Sequence, residues 1–364
     1  MNWPFVGSAG GRAVGPDVVA GGRVAGAPVA QPGHQRDRKN DKQVRDSGHE
    51  KQRLFHRTTA RKHHRGRARG AMKIRIGIGA AVGASSPGTL GDIVDGVDQL
   101  GFDSLWLSEV LTGPVLDPTV GLAWAAAHNR RVKLGTTMLL PGRNVIRLAK
   151  QLASLDVLCE GRLLVTLVPG LTFAPERAAI GADPKRRGAL IEEALPLLRR
   201  LWAGERVSHH GAVGSFQDVT LTPRPVQQPL EVWLGGTVPA ALERCGRLSD
   251  GWLPSLCTPE EAAAGRGVID EAAARAGRSI SREHFGVSIG YASVPLDATT
   301  ARTMAARRPR SVELTPVGFP ALRALLERFI AVGFSKFVLR PVIAPASWRK
   351  ELETLAAAVG DLQT

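Results

Sequence analysis

From Met72 onward the chain repeats one pattern eight times: a short run rich in Val, Ile and Leu, then a stretch with helical apolar spacing. Parallel strands need a long crossover between them, so strand–helix alternation of this kind builds a parallel sheet. The strand-like runs are Lys73–Gly79, Ser104–Glu109, Val132–Met138, Arg162–Val168, Glu231–Leu234, Gly251–Pro254, Phe285–Val294 and Lys336–Leu339. Two of them, LLVTLV at 163–168 and KFVL at 336–339, are nearly unbroken apolar runs, as strands covered on both faces are. A (β/α)8 TIM barrel typically takes about 250 residues before insertions, and residues 72–364 accommodate one.

The intervening segments carry helix signals. Thr89 is placed to cap the first, whose stripe is Leu90, Ile93, Val94, Val97 and Leu100, with Gly101 as the stop. Asp117–Asn129 and Asn144–Leu158 follow. A longer helix spans about 184–202, bent at Pro196, and 205–222 reads as a hairpin-like insertion. Further helices start at Thr237, at Pro259 (to Ala276), around Leu322–Ile330 and around Trp348–Val359. The stretch between the seventh strand and Leu322 reads as irregular.

The formal charge of +15 suggests a nucleic-acid partner until it is mapped. Residues 1–71 hold 15 Lys/Arg against 5 Asp/Glu, so most of the excess sits outside the barrel. This first segment has no apolar periodicity and reads as a disordered basic extension. It also reads as translation from a misassigned start, with Met72 the first residue, since Met72 directly precedes the first strand. The basic stretch 57–69 can bind phosphates, so a nucleic-acid binder acting through the extension stands as a rival reading. No run of about eighteen apolar residues exists, which argues against a membrane span. Cys159, Cys245 and Cys257 show no paired spacing and no C-x-x-C, which points to a reducing cytoplasm and to no zinc site.

In such barrels chemistry sits at the C-terminal ends of the strands. Gly235-Gly236-Thr237 leaves the fifth apolar run and opens a helix, a place where backbone N–H groups attract phosphate. An ordinary turn with a Thr cap is the plainer reading. Glu109 ends the second run and can accept a proton or pair with a nearby base. Thr136, Thr137 and Met138 end the third, where small and hydroxylated residues let a planar ring approach; Thr also simply favours strands. Pro169 and Gly170 end the fourth. Arg143 and Arg340 follow the third and last runs and are candidates for an anion or substrate. The glycines at 77, 79 and 83 imitate a dinucleotide loop, but Ser85-Ser86-Pro87-Gly88 separates them from the helix they would have to pack. No Gly-x-Ser-x-Gly elbow exists, and the His209-His210 pair lacks matching ligands, so no metal is expected.

The order of GFDSLWLSE at 101–109, VKLGTT at 132–137, LAKQLASLD at 148–156 with GRL at 161–163, VWLGG at 232–236 and LSDGWLP at 248–254 resembles the luciferase-like oxidoreductases, above all those using the deazaflavin coenzyme F420. The resemblance covers nearly all of 72–364. It implies that Thr136-Thr137-Met138 bulges around a non-prolyl cis peptide under the coenzyme ring, that Pro169 and Gly170 adjoin the ring, and that Gly235-Gly236-Thr237 holds the phosphate. The coenzyme would then exchange a hydride with a small organic substrate, with Glu109 binding substrate or coenzyme or assisting proton transfer. Sugar-phosphate dehydrogenases of the family carry a His after the second-strand acid and a Glu after the fourth-strand glycine; Val110 and Leu171 stand there instead. The fourth strand ends TLVPG rather than Gly-x-Gly-x-Gly. The alternatives are an FMN-dependent monooxygenase on the same barrel and a deazaflavin-binding protein without turnover. The residues do not set an oligomeric state, and a homodimer is one option.

Overall fold

The computed structural model describes residues 72–80, 83–170 and 173–364. The basic extension at 1–71 lies outside the described residues. Strands β1 (Arg75–Gly79), β2 (Ser104–Ser108), β3 (Lys133–Leu139), β4 (Leu163–Val168), β7 (Val232–Leu234), β8 (Gly251–Trp252), β9 (Gly286–Tyr291) and β10 (Lys336–Pro341) form one parallel sheet. Its order is β8-β7-β4-β3-β2-β1-β10-β9. Bridges between Trp252 and Phe285 and between Ser255 and Ser288 join β8 to β9 and close the ring. The result is the expected (β/α)8 barrel. A small antiparallel hairpin, β5 (Val207–Gly211) and β6 (Gly214–Val219), is inserted before β7, where the sequence placed it.

The helices are α1 (Pro87–Gln99), α2 (Pro118–His128), α3 (Val145–Leu158), α4 (Ala174–Ile180), α5 (Arg187–Trp202), α6 (Pro239–Leu248), α7 (Pro259–Arg275), α8 (Ala298–Arg307), α9 (Phe319–Ala331) and α10 (Trp348–Val359). The cap of α1 is Ser86, whose Oγ accepts from Thr89 N at 3.2 Å, and not Thr89. Pro87 at the first helical position explains the earlier start, since its fixed φ suits a helix N-terminus. Helices α4 and α8 are additions to the sequence reading. α8 buries none of its residues, so it has no apolar stripe to read.

Alternation along each strand splits the core in two. Ile76, Ile78, Leu105, Leu107, Leu134, Met138, Val165 and Leu167 pack outward against the helices. Trp106, Leu253 and Val338, with Leu164 and Trp233, pack together as a separate cluster inside the barrel. Gly135 makes room for this plug: a Cβ there would lie 2.2 Å from the Trp106 ring. The barrel is therefore filled in its middle, and a ligand must sit at one of its ends.

Candidate active site at the barrel mouth

Glu109 sits just past β2 with only 6% of its side chain exposed. Its Oε2 accepts from Leu139 N at 2.8 Å, and its Oε1 accepts from Arg143 Nη2 at 2.5 Å. Arg143 Nε in turn donates to Leu139 O at 2.9 Å. The expected acid and one expected anion receptor are thus engaged with each other. They clasp the end of β2 to the loop that follows β3.

The β3 segment departs from expectation. β3 stays in continuous register with β2 through Ser108 and Thr137 and with β4 through Leu139 and Val168. No extra residue is left for a bulge. The only cis peptides among the described residues precede Pro223 and Pro229, so the non-prolyl cis bond is absent from β3. Period-two alternation sends Thr136 and Met138 outward, where both are fully buried. Thr137 alone of the three faces the barrel interior, level with Thr166, whose buried Oγ1 has no partner.

Beyond β4, Pro169 O accepts from Arg187 Nη1 at 3.1 Å. Gly170 has φ +87°, and a Cβ there would lie 2.8 Å from Ile180 Cδ1 of α4. Packing and backbone shape account for that glycine. Gly235 is also a packing position, since its Cβ would lie 2.8 Å from Val168 Cγ1. Val168 therefore fills the space between the ends of β4 and β7.

Gly236 differs. Its φ is +105°, and a Cβ there would meet only Ala241 Cβ, at 3.0 Å. Its carbonyl accepts from Trp252 Nε1 at 2.9 Å, which fixes the turn. Helix α6 begins at Pro239 rather than Thr237, and its cap residue, Val238, has no side chain able to satisfy the helix N–H groups. Thr237 is exposed and is not the cap. An uncapped helix start beside an open glycine turn suits an anion.

Arg340 lies on the far side of the mouth. Its stem crosses Gly79, where a Cβ would lie 2.2 Å from Arg340 Cγ, and its Nε donates to Ser288 Oγ at 3.1 Å. Arg308, at the end of α8, donates from Nη1 to Ser255 Oγ at 3.0 Å. Arg308 was not a sequence candidate, because nothing in its neighbourhood repeats or alternates. Burial pushes Arg340 down to about 10, with the Arg308 charge adding to the fall, and burial lowers Arg308 as well.

A cavity of about 160 Å³ opens at the opposite, N-terminal end between Trp106, Trp233, Lys336 and His284. That end of a barrel stabilises rather than reacts, and its lysine is already paired with Asp103. His209 pairs with Glu193 at 2.7 Å and His210 with Ser215 at 2.8 Å, both involving the inserted hairpin. Among the described residues no His, Cys, Asp or Glu group could hold a metal ion, and no helix is long and apolar enough to cross a membrane.

The luciferase-like monooxygenase family model matches residues 50–328. The chain belongs to this family. It is similar to the F420-dependent glucose-6-phosphate dehydrogenase of Kineococcus radiotolerans, 30% identical over 196 residues, which are 51% of this chain and 56% of that protein. Limonene 1,2-monooxygenase of Rhodococcus erythropolis is 28% identical over 205 residues, 54% of this chain and 53% of the other. The chain thus spans little more than half the length of these curated relatives. An F420-dependent secondary alcohol dehydrogenase structure, in complex with an F420–acetone adduct, matches in fold. Its TM-score is 0.69 at 17% identity, covering 80% of this chain and 100% of that one. In this luciferase-like barrel the Gly236 turn lies open beside α6, and Thr137 and Val168 present half-buried inner faces at the ends of β3 and β4.

Proposed function

We propose that the protein is a coenzyme F420-dependent oxidoreductase acting on a small organic substrate at the C-terminal mouth of the barrel. The open Gly236 turn leading into the uncapped α6 carries the reading. Similarity to proteins named for F420 adds support. When bound, the deazaflavin supplies the hydride chemistry. The chain's own residues bind and orient. The N–H groups around Thr237 and the start of α6 hold the phosphate. Thr137 and Val168 form the wall for the ring, and Pro169 and Gly170 shape its edge. The Glu109–Arg143 clasp keeps the ends of β2 and β3 fixed, so Glu109 is a positioning residue here. A sugar-phosphate substrate does not carry over from the dehydrogenases, because Val110 and Leu171 cannot supply their acid–base pair. Three buried free thiols, Cys159, Cys245 and Cys257, accord with a cytoplasmic setting.

A second reading, an FMN-dependent monooxygenase, is favoured by the limonene monooxygenase similarity. Titration of the full chain with F420 and separately with FMN, followed by fluorescence and calorimetry, separates the two. Tighter binding of F420 is the expected result. Preference for FMN would transfer the reading to the monooxygenase. Failure of both would mean that Val168 closes the ring wall, and the oxidoreductase assignment would fall. Tight F420 binding with no substrate-dependent change in ring absorbance across a broad screen would favour a binding protein without turnover.

A further inference from the structure

The mouth contains two arginines whose charge nothing in the described barrel answers. Several other half-buried arginines have carboxylates: Arg75 has Glu283, Arg143 has Glu109, Arg199 has Asp250 and Arg244 has Glu192, while Arg162, away from the mouth, is held by the carbonyls of Cys159 and Val132. Arg308 and Arg340 instead donate to one serine hydroxyl each, and among the described residues neither forms an ion pair. The two serines are neighbours, because Ser255 and Ser288 bridge β8 to β9. The guanidinium groups are thereby brought to one corner of the mouth. The Arg340 fork ends beside Gly290, with Nη2 3.8 Å from where a Cβ on that glycine would be. Each guanidinium has five N–H donors and spends one on its serine, so a planar or tetrahedral anion can take paired donors from both. Two like charges held together in a half-buried site disfavour one another until such an anion arrives.

We propose that Arg308 and Arg340 form a binding subsite for one carboxylate or phosphate group of the substrate, which makes the substrate an organic acid or a phosphate ester. This rests on the oxidoreductase reading only for the word substrate; the anion site itself does not depend on it. The site lies on the β8–β10 side of the mouth, whereas the coenzyme phosphate is assigned to the turn after β7.

The test uses the full chain with inorganic phosphate and with malonate, at ionic strength matched by chloride, read by calorimetry and thermal unfolding. Saturable binding and stabilisation are expected for wild type. Arg308→Met and Arg340→Met, which keep the apolar stem, should each weaken anion binding roughly ten- to hundredfold, as loss of a charge-assisted contact does. Without anion, each variant should unfold no earlier than wild type, since one of two repelling cations is gone; this also reports that it folds. Stabilisation no greater than chloride gives, or undiminished binding in both variants, would overturn the proposal. Repeating the titration with saturating F420 identifies the source of the anion. Persistent phosphate binding supports a substrate subsite, and displacement by F420 would assign the corner to the coenzyme's own acidic groups and overturn it. If phosphate binds and F420 does not, the oxidoreductase reading fails while the anion site stands.

Discussion

At the N-terminal end of the barrel a single carboxylate answers two lysines. Asp103 Oδ2 accepts from Lys336 Nζ and Oδ1 from Lys133 Nζ, and Lys336 also donates to Ser104 Oγ at 3.1 Å. The Lys336 side chain is 5% exposed and that of Asp103 11%. Burial alone would raise the Asp103 carboxyl, but the two ammonium charges outweigh it and hold the group well below the usual carboxylate range. Burial pushes Lys336 down to about 8 despite Asp103. Removing one partner of a buried pair leaves the other uncompensated, so Asp103→Asn should lose about 3–5 kcal/mol at neutral pH. The sign of the pH dependence follows from the lowered carboxyl. Its stabilisation is complete above the unfolded pKa of about 4 and drains away as pH falls through the folded value. Urea unfolding of both proteins should therefore show a gap that narrows below about pH 4. A gap of constant size down to pH 2 would remove charge from the explanation.

Elements with an apolar stripe or an unbroken apolar run were legible; an element with no buried residue was not. α7, expected over Pro259–Ala276, opens on a capping box that the sequence reading did not use, with Thr258 and Glu261 bonded in both directions at 3.2 and 2.9 Å. α8 was missed because no residue on it is buried. At the site, the sequence located the strand ends but not which side chains face inward. A barrel strand is covered on both sides, so Thr136 and Thr137 look alike although one points to the helices and the other to the mouth. The Glu109–Arg143 clasp joins residues 34 apart, a pairing that no local pattern reports. Two helical glycines test how far packing overrides propensity. A Cβ on Gly246 of α6 would lie 2.4 Å from Ile269 O of α7, while one on Gly267 of α7 would meet nothing within 4 Å. Gly267→Ala should stabilise by about 0.5–1 kcal/mol, the ordinary helical gain. Gly246→Ala should instead destabilise by about 1–3 kcal/mol, because the helices must move apart. Equal shifts in the two thermal midpoints would refute the packing account.

The family match ends at residue 328, yet the barrel does not. β10 lies beyond that point and pairs with both β1 and β9, so the ring closes only through the last strand–helix unit. The C-terminal residues then return to β1. Gln363 Oε1 accepts from Ile76 N at 3.0 Å, Thr364 Oγ1 accepts from Ile74 N at 2.9 Å, and Thr364 N donates to Ile74 O at 3.2 Å. Gln363 Nε2 adds a bond to Gly101 O at 3.2 Å, ahead of β2. Ile76 is fully buried, so its N–H needs a partner from the chain rather than from solvent. Each such bond is worth about 1 kcal/mol net, and a buried donor left unmet costs about 1–3 kcal/mol. Deleting Gln363 and Thr364 should therefore lower stability by roughly 2–4 kcal/mol in urea unfolding, with the slope unchanged because the same surface is still buried. Gln363→Ala should lose roughly half of that and speed hydrogen exchange at Ile76 more than at Ile78, which lies further along β1. An unchanged midpoint, or exchange quickened evenly along β1, would mean that water replaces these bonds freely and that β10 alone seals the barrel.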